Sequence, residues 1–404
     1  MNKKTIADID VKGKKVFMRV DFNVPLDEEG NVSNDRRIQM ALPTIKKALE
    51  GGARLILASH LGRPKGVRDE KLSLAPAGRR LGELLDGQVS QAPDCIGPEV
   101  QKMVGQLQDG EVMLLENLRF HPGETKNDPE FAQQLAELAD IYVNDAFGTA
   151  HREHASMYGV PSILGAGRRV CGFLIEKELK YLGQALGEPQ KPFVAVLGGA
   201  KVSDKITVIE NLLNKVDRIL IGGGMAYTFF KAQGYDVGDS ICEDDKLEIA
   251  SELLASAPTE GCELVLPVDS VIAEEFKANA NHRSITGNIP TGWLGLDIGP
   301  ETCKLFSNKL SDAKTIVWNG PMGVFEMKPF DVGTKAVAEA IAVATDNGAV
   351  SIVGGGDSAA AVAEMNLQER MSHISTGGGA SLEFLEGKKF KCLEILDDKD
   401  GPDA

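Results

Sequence analysis

The chain has 404 residues, of which 43% are hydrophobic and 25% charged, a composition that is ordinary for a soluble globular protein with a large core. The net charge of −15 predicts a surface that repels nucleic acid and anionic membranes, so we expect neither as a partner. The apolar runs are too short to span a bilayer, and residues 1–10 contain no signal-peptide core, which predicts a cytoplasmic protein.

The first half of the chain alternates apolar runs typical of strands with segments of helical spacing. In chain order the pattern predicts strand 16–20, helix 38–49, strand 54–58, helix 74–85, a weaker strand near Val89, helix 100–106, strand 112–115, helix 129–139 and strand 141–143. Such alternation is typical of parallel strands joined by crossover helices.

Polar motifs follow these strands directly. They are Asp21-Phe22-Asn23, Ser59-His60-Leu61-Gly62-Arg63, Glu116-Asn117-Leu118-Arg119-Phe120 and Asn144-Asp145-Ala146-Phe147-Gly148, with His151-Arg152-Glu153-His154 beyond the last. Because ligands of parallel α/β sheets bind at the carboxyl ends of the strands, we expect these side chains to share one edge.

Twelve arginines lie between Arg19 and Arg169, and only three follow. Since arginine suits bidentate binding of carboxylate and phosphate, this half is predicted to bind a compact anion.

A domain boundary is predicted near the middle of the chain. Helical spacing over 174–186 is broken by Gly187-Glu188-Pro189-Gln190-Lys191-Pro192. We therefore expect a first domain at 1–173, a connecting helix and hinge at 174–192, and a second domain at 193–389.

The second half repeats the alternation, with strands predicted at 193–197, 218–221, 264–268, 315–318 and 350–353. Three glycine triplets lie at predicted strand ends, at 222–224, 354–356 and 377–379. Three on one edge indicate a nucleotide cradle, since glycine lets backbone approach a ligand closely. Asp357 beside that cradle suits Mg²⁺, which binds carboxylate and phosphate oxygens; the alternative for Asp357 is a helix N-cap.

The stretch 198–205, Gly-Gly-Ala-Lys-Val-Ser-Asp-Lys, follows a strand and precedes a helix. Lys201 and Lys205 are four residues apart, so they are predicted to project from one face of the opening helical turn. Two ammonium groups beside backbone N–H groups would suit a polyphosphate. The alternative is a glycine turn with two solvated lysines.

Motifs of several other enzyme classes are absent. The sequence has no G-x-x-x-x-G-K-[ST], no G-x-S-x-G, no H-E-x-x-H and no G-x-G-x-x-G after a strand. We expect His60, His151 and His154 to form hydrogen bonds or contact substrate. Six scattered cysteines form no C-x-x-C, which argues against a zinc site or a disulfide framework and fits a reducing cytosol.

An anion-binding half beside a nucleotide-binding half suits phosphoryl transfer, which depends on positioning and charge stabilisation.

Eight motifs, in order and over nearly the whole chain, resemble the phosphoglycerate kinase family. They are residues 19–25, 59–64, 115–120, 144–147, 198–205, 318–326, 354–358 and 375–382. The resemblance implies two doubly wound parallel-sheet α/β domains facing each other across a cleft, with residues 390–404 returning to the first domain. It also implies a monomer and, in glycolysis and gluconeogenesis, reversible Mg²⁺-dependent transfer between 1,3-bisphosphoglycerate with ADP and 3-phosphoglycerate with ATP. The transfer would be direct and in line, after domain closure.

The resemblance also implies roles for individual residues. Arg37 and Lys201 would be catalytic, neutralising the moving phosphoryl group. The phosphoglycerate would contact Asp21, Asn23, Arg37, His60, Arg63, Arg119 and Arg152. The nucleotide would contact Lys205, Gly223, Gly295, Asn319, Glu326, Gly355, Gly356, Asp357 and Ser358, with Asp357 on Mg²⁺, Gly223 and Gly295 at the nucleoside and Glu326 at the ribose. The ending from Lys388 onward departs from the family's usual one.

Two other functions stay open from the residues alone. The first is a different ATP-dependent carboxylate kinase with another acceptor. The second is a non-catalytic nucleotide sensor, against which the joint presence of Arg37, Lys201 and Asp357 argues.

Overall fold

The computed structural model describes residues 1–400 and divides the chain into two compact units. Unit 1 comprises Met1–Lys180 together with the C-terminal residues from Lys389, and unit 2 comprises Tyr181–Lys388. The last four residues, which the predicted returning tail includes, lie outside the described residues.

Unit 1 is built on a six-stranded sheet in which all pairings are parallel. Its strands are β1 (Lys15–Val20), β2 (Arg54–Ala58), β3 (Val89–Gln91), β4 (Val112–Leu114), β5 (Ile141–Asp145) and β6 (Arg169–Cys171), in the order β3-β4-β2-β1-β5-β6. The central strand β1 is largely apolar and, apart from its first residue, buried on both faces, as expected where helices cover both sides of a parallel sheet.

The helices of unit 1 connect these strands. They are α1 (Arg36–Glu50), α2 (Ala75–Leu85), α3 (Pro98–Gln106), α4 (Pro122–Lys126), α5 (Pro129–Ala136), α6 (Val160–Leu164) and α7 (Phe173–Gly187). Helix α7 contains the point at which the two units divide, between Lys180 and Tyr181. The fully buried carboxylate of Asp145 accepts hydrogen bonds from the backbone N–H groups of Leu174 and Ile175 at the start of α7.

Strand β6 was not predicted from the sequence. It has only three residues, so it shows no measurable periodicity. It forms because both of its sides find partners: β5 pairs with it in parallel, and the Cys171 N–H donates to the carbonyl of Lys4 at 2.9 Å.

Unit 2 contains a second all-parallel six-stranded sheet and a smaller antiparallel one. The large sheet has the order β15-β14-β13-β7-β8-β9, from β7 (Phe193–Leu197), β8 (Arg218–Ile221), β9 (Glu263–Val265), β13 (Thr315–Asn319), β14 (Val350–Gly354) and β15 (His373–Ile374). The small sheet has the order β11-β10-β12, from β10 (Ser270–Ala273), β11 (His282–Ile285) and β12 (Leu294–Ile298).

The prediction of one strand over 264–268 was wrong at its carboxyl end, and the antiparallel sheet was missed. The observed strand β9 ends at Val265, two residues before Pro267. Proline has no N–H to donate to a sheet, so the chain leaves the large sheet there and enters the small one at Ser270.

The helices of unit 2 are α8 (Ile206–Leu213), α9 (Met225–Ala232), α10 (Leu247–Ser256), α11 (Pro300–Leu310), α12 (Val332–Asp346), α13 (Gly356–Glu364) and α14 (Gly379–Leu385). The chain then re-enters unit 1 and forms the short helix α15 (Lys391–Glu394). Each unit has its own buried hydrophobic core around its large sheet. The predicted fold class, two parallel-sheet α/β domains, is therefore confirmed.

The C-terminal segment packs on the N-terminal residues of unit 1. The backbone N–H of Lys4 donates to the carbonyl of Asp397 at 2.8 Å, and the buried Lys3 ammonium contacts the carbonyl of Leu396 at 2.7 Å and the Asp398 carboxylate at 2.9 Å. Within residues 1–400, no helix is both long and apolar enough to cross a membrane.

Candidate active site

The carboxyl ends of the central strands of unit 1 carry a cluster of positive charge. Arg19, at the end of β1, is fully buried although the strand around it is apolar. Its Nη2 donates to Nδ1 of the buried His60, which follows β2, over 3.0 Å. Because arginine can only donate, His60 must be the neutral tautomer with its proton on Nε2. That N–H is therefore available as a donor to an anion.

Burial, and after it the neighbouring cations, lowers the pKa values of the basic groups in this cluster. Burial, followed by the charges of Arg19 and Arg119, holds the pKa of His60 well below its usual range. Burial and the same two arginines lower the pKa of His154 to about 3. The pKa of Arg119 falls to about 10, chiefly through burial and then through the charge of Arg19. Such mutual repulsion between cations is relieved when an anion binds among them.

Arg119 is held in place by only part of its guanidinium group. Its Nη1 donates to the carbonyl of Gly62 over 2.9 Å, and its buried Nε has no hydrogen-bond partner among the described residues. A buried donor without a partner is costly, so this group is suited to receive a ligand oxygen.

The remaining residues predicted to bind phosphoglycerate surround the cluster. Arg37, on the first turn of α1, donates from Nη1 to Asp21 Oδ2 at 2.5 Å and keeps 37% of its side chain exposed. Asn23 accepts from the Gly62 N–H at 2.9 Å, which ties the loops after β1 and β2 together. Arg63 and Arg152 are exposed. The structure thus places all seven predicted residues at one edge of the unit 1 sheet, at the strand ends or on the first turn of α1.

The sequence analysis missed the residues that orient Arg19. Arg19 Nε donates to Ser156 Oγ over 3.0 Å, and Ser156 Oγ in turn donates to Glu124 Oε1 over 2.6 Å. The fully buried Glu124 also accepts from the Ser156 N–H at 3.0 Å. Its charge is thereby linked to Arg19 through the serine hydroxyl. The one available signal was the charged Arg19 within an apolar strand, because a buried charge requires a partner.

The C-terminal segment contacts the loop that carries Arg152. The Cys392 thiol donates to the Arg152 carbonyl at 3.2 Å, and the Lys391 ammonium pairs with Glu153 at 2.9 Å. The Phe390 ring packs on the Phe147 ring, with 6.1 Å between their centroids. These residues of the C-terminal segment therefore help to position one of the predicted substrate arginines.

Glycine loops pack against one another at the carboxyl ends of the unit 2 strands. The N–H groups of Gly198 and Gly199 donate to the carbonyls of Asn319 and Pro321, each at 3.0 Å, and the Gly223 N–H donates to the Met322 carbonyl at 3.0 Å. A Cβ on Gly198 would lie 2.1 Å from the Pro321 oxygen. Glycine is therefore required here by loop packing, and the prediction that these backbone donors face a ligand was wrong for Gly198 and Gly199.

The two lysines of the 198–205 stretch lie in different environments. Helix α8 begins only at Ile206, and the Lys205 N–H closes a turn onto the Val202 carbonyl at 2.8 Å. Lys201 is exposed, whereas Lys205 is buried and donates from Nζ to Asn319 Oδ1. The prediction that both project from one helical face was therefore wrong, because the fully buried Val202 anchors the turn ahead of the helix.

Lys205 and Asn319 form the polar centre of this edge. Burial lowers the pKa of Lys205 to about 8, against the opposing charges of Asp204 and Asp357. The buried Asn319 Nδ2 has no hydrogen-bond partner among residues 1–400 and lies beside the Gly354–Gly355 turn, where a Cβ on Gly355 would be 3.3 Å away. The Asn319 amide is thus positioned to donate to a ligand held between Lys205 and α13.

The first turn of α13 supplies the remaining predicted nucleotide contacts. Gly355 has φ of +89°, and α13 begins at Gly356, whose Cβ position is open. The Ser358 hydroxyl is buried and accepts from the Gly320 N–H at 2.7 Å, so it holds the loop after β13. Asp357 is exposed on this turn. Its carboxylate is a hard oxygen ligand at a helix N-terminus that favours phosphate, so the residues present fit Mg²⁺ bound jointly with a nucleotide.

Gly295 and Glu326 belong to a second part of unit 2. Gly295 lies within β12, and a Cβ there would overlap the Tyr227 hydroxyl at 2.0 Å. Packing against Tyr227 is therefore enough to explain why position 295 is glycine, without a bound nucleoside. Glu326 is exposed, and its loop joins β12 through the Val324 N–H, which donates to the Leu296 carbonyl at 2.9 Å.

Comparisons with known proteins agree along nearly the whole chain. The family model described as phosphoglycerate kinase matches residues 6–388. A phosphoglycerate kinase of Chlorobium phaeobacteroides is 59% identical over 98% of this chain and 100% of its own, and one of Thermosipho africanus is 57% identical over 99% of each. A solved phosphoglycerate kinase structure from Coxiella burnetii has a TM-score of 0.88 at 43% identity, covering 98% of both chains. One from Pyrococcus horikoshii has a TM-score of 0.83 at 34% identity, covering 97% of this chain and 98% of its own.

Proposed function

The chain belongs to the phosphoglycerate kinase family, a family of phosphotransferases with ATP or ADP as co-substrate, and from this premise we propose that its transfer is Mg²⁺-dependent, direct and in line. The reaction interconverts 1,3-bisphosphoglycerate and ADP with 3-phosphoglycerate and ATP, and it serves both glycolysis and gluconeogenesis. The observation that carries the assignment of sites is the arginine cluster at the unit 1 sheet edge, where the buried Arg119 Nε has no hydrogen-bond partner among the described residues and Arg19 fixes His60 with Nε2–H as a donor.

Unit 1 binds the phosphoglycerate in this proposal. The neutral His60 donates from Nε2, while Arg63, Arg119 and Arg152 supply positive charge to the phosphate and carboxylate oxygens. Asp21 and Asn23 also contact the phosphoglycerate, while Asp21 holds Arg37 and Asn23 ties the loops after β1 and β2 together. A rigid set of donors of this kind costs little to reorganise when the substrate binds.

Unit 2 binds the nucleotide. Lys205, Asn319 and the first turn of α13 hold the phosphates, with Gly355, Gly356 and Ser358 supplying backbone and hydroxyl groups. Gly223 and Gly295 line the nucleoside site, and Glu326 contacts the ribose. Asp357 holds Mg²⁺, which when bound neutralises charge on the nucleotide phosphates.

The transferring phosphoryl group is stabilised by one cation from each unit. Arg37 is half-exposed at the edge of the unit 1 cluster, and Lys201 is exposed ahead of α8. Phosphoryl transfer develops charge on equatorial oxygens, and preorganised cations beside them lower the barrier. Neither role requires a covalent intermediate.

Transfer requires the two units to bring their substrates together. The proposed acceptor residues all belong to unit 1, and the nucleotide residues all belong to unit 2. Because reacting atoms must approach to about 3–3.5 Å, we propose closure about a hinge within residues 174–192. Small-angle scattering of the apo, singly liganded and doubly liganded enzyme tests this, and an unchanged radius of gyration with both ligands bound to active enzyme would contradict it.

The direct in-line step is tested by stereochemistry. ATP made chiral at the γ-phosphorus is used to phosphorylate 3-phosphoglycerate, and the configuration of the product is determined. A single displacement inverts the phosphorus, whereas a two-step route through a phosphorylated side chain retains it. Retention would therefore exclude the proposed mechanism.

The Mg²⁺ requirement and the acceptor are tested in one coupled assay. Enzyme freed of divalent cations should turn over only when Mg²⁺ is returned, and Asp357→Asn should raise the Mg²⁺ concentration that half-restores turnover. Turnover with other small carboxylic acids but not 3-phosphoglycerate would indicate a different carboxylate kinase. Nucleotide binding without turnover of any acceptor would indicate a sensor. A monomeric, cytoplasmic enzyme is part of the same proposal.

A further inference from the structure

Three side chains of different chemistry converge in unit 1 outside the residues assigned to the substrates. Asp94 and Cys95 lie in the loop between β3 and α3, and His121 precedes α4. Their carboxylate oxygen, thiol sulfur and imidazole nitrogen all lie within 4.8 Å of one another. We propose that Asp94, Cys95 and His121 bind a Zn²⁺ ion. The proposal does not depend on the phosphoryl-transfer function.

The distance between Asp94 and His121 is close to that between two ligands of a zinc ion. Asp94 Oδ1 is 2.6 Å from His121 Nε2, and the Cys95 Sγ donates to the Glu116 carbonyl at 2.9 Å. With Zn–O and Zn–N bonds of about 2.0–2.2 Å, two such ligands of a tetrahedral ion lie roughly 3.3 Å apart. The Asp94–His121 pair must therefore open by less than about 1 Å, which a change of side-chain rotamer allows.

Two of the ligands are already oriented by the fold. The Cys95 N–H donates to Asp94 Oδ1 at 2.7 Å, and the His121 ring stacks on Phe131 with 5.1 Å between centroids. The Asp94 and His121 side chains are 42% and 27% exposed, whereas Cys95 is fully buried. An ion can therefore enter from solvent past the first two, reach the sulfur, and keep water as its fourth ligand.

The set of donor atoms favours zinc over the alkaline-earth ions. Thiolate and imidazole are ligands of Zn²⁺, whereas Mg²⁺ and Ca²⁺ take oxygen ligands. The sequence analysis argued against a zinc site because the six cysteines form no C-x-x-C motif, and the proposal departs from it: these three ligands come from two separate loops.

Charge and protonation set the conditions for binding. The Cys95 thiol carries its proton in the absence of a cation, since it donates to the Glu116 carbonyl. Binding then breaks the S–H bond, forms the Zn–S bond and releases the proton to solvent. The Arg68 guanidinium is close enough to oppose a cation, but its pairing with Glu70 at 2.7 Å offsets part of that charge.

Cobalt provides the most direct test. Untagged full-length protein is stripped with a chelator and titrated with Co²⁺, and the near-ultraviolet thiolate-to-cobalt charge-transfer band is recorded; Zn²⁺ should then abolish the band. We expect the band in the parent and in Cys262→Ser, a matched change of a buried cysteine in unit 2, and its loss in Cys95→Ser. No band in the parent, or an undiminished band in Cys95→Ser, would overturn the proposal.

A second variant covers the case in which Cys95→Ser does not fold. His121 is partly exposed, so His121→Gln should fold, and it should bind Zn²⁺ at least about tenfold more weakly in a competition with a chromophoric chelator. The Zn²⁺-dependent rise in melting temperature should shrink in parallel. Equal Zn²⁺ affinity in His121→Gln and the parent would exclude His121 as a ligand and with it the site.

Discussion

The two units use the same sheet edge in two different ways. In unit 1 the edge is occupied by polar and charged side chains, with Arg19, His60 and Arg119 buried and Arg19 hydrogen-bonded to the neutral His60. In unit 2 it is occupied by glycine loops that bond to one another, with Lys205 as a buried cation. A parallel sheet therefore positions a site without determining its chemistry.

The difference follows from the ligands that each edge is proposed to bind. A small anion with a phosphate and a carboxylate can be held by rigid guanidinium groups, which match oxygen pairs. A nucleoside polyphosphate is longer and needs close approach of backbone and a helix N-terminus. Four predictions test this contrast.

We expect the largest effect from Arg37→Ala. Removing one preorganised cation beside the transferring group typically costs ~2.7–4 kcal/mol of barrier, so kcat should fall by roughly 10²–10³-fold. Steady-state kinetics with both substrates saturating measure it. Arg36→Ala is the matched control and should stay near the parent rate. A kcat for Arg37→Ala within about threefold of the parent would remove Arg37 from the transition state.

Substitutions of Lys201 and Lys205 should affect different quantities, kcat for Lys201 and ADP affinity for Lys205. Lys205→Met keeps the aliphatic stem and removes the buried charge, so ADP affinity should fall by ~1.5–3 kcal/mol, or roughly 10- to 150-fold. Lys201→Met, at an exposed site, should lower kcat with ADP affinity nearly unchanged. Calorimetric titration of ADP into both variants measures this, and equal losses of affinity would contradict the division of roles.

Gly198→Ala tests whether loop packing requires the unit 2 glycines. The added methyl would meet the Pro321 and Gly320 carbonyl oxygens at 2.1 and 2.7 Å, so we expect the free energy of unfolding to fall by ~1–3 kcal/mol. Gly356→Ala, where the Cβ position is open, is the control and should change it by less than about 0.5 kcal/mol. Denaturant unfolding measures both. Equal losses of unfolding free energy in the two variants would mean that contact between the loops is not the reason why position 198 requires glycine.

The smallest effect should be a pH dependence confined to nucleotide binding. Lys205 has a pKa of about 8, so it loses its charge as the pH rises through that value. Affinity for ADP should therefore fall by about tenfold, or ~1.4 kcal/mol, between about pH 7 and pH 9. Arg119, with a pKa of about 10, stays charged, and the neutral His60 and His154 do not titrate there.

Parallel titrations of the two ligands check that prediction. The affinity for 3-phosphoglycerate should change by less than about threefold over the same range, because unit 1 relies on arginine. The pH dependence of ADP binding should disappear in Lys205→Met. If ADP binding to Lys205→Met still depended on pH over this range, a titratable group other than Lys205 would be responsible.

Much of the fold was predictable because apolar periodicity is a local property of the chain. Strand β8 was predicted residue for residue, and β2 and β7 likewise. Strand β6, with only three residues, and the antiparallel strand β11, whose residues are mostly exposed, were missed because neither contains a buried apolar run. The polar motifs could be placed at the sheet edges from the strand pattern alone.

The amino-acid sequence by itself determined the two parallel-sheet units, the edges that carry the polar motifs, and the family. Only the tertiary structure decided which polar atoms meet. Arg19 reaches Ser156 across 137 positions, Lys205 reaches Asn319 across 114, and Asp94 reaches His121 across 27. Periodicity reports which face of an element is buried, whereas a buried polar atom must find a specific partner, and that partner is set by how distant loops pack.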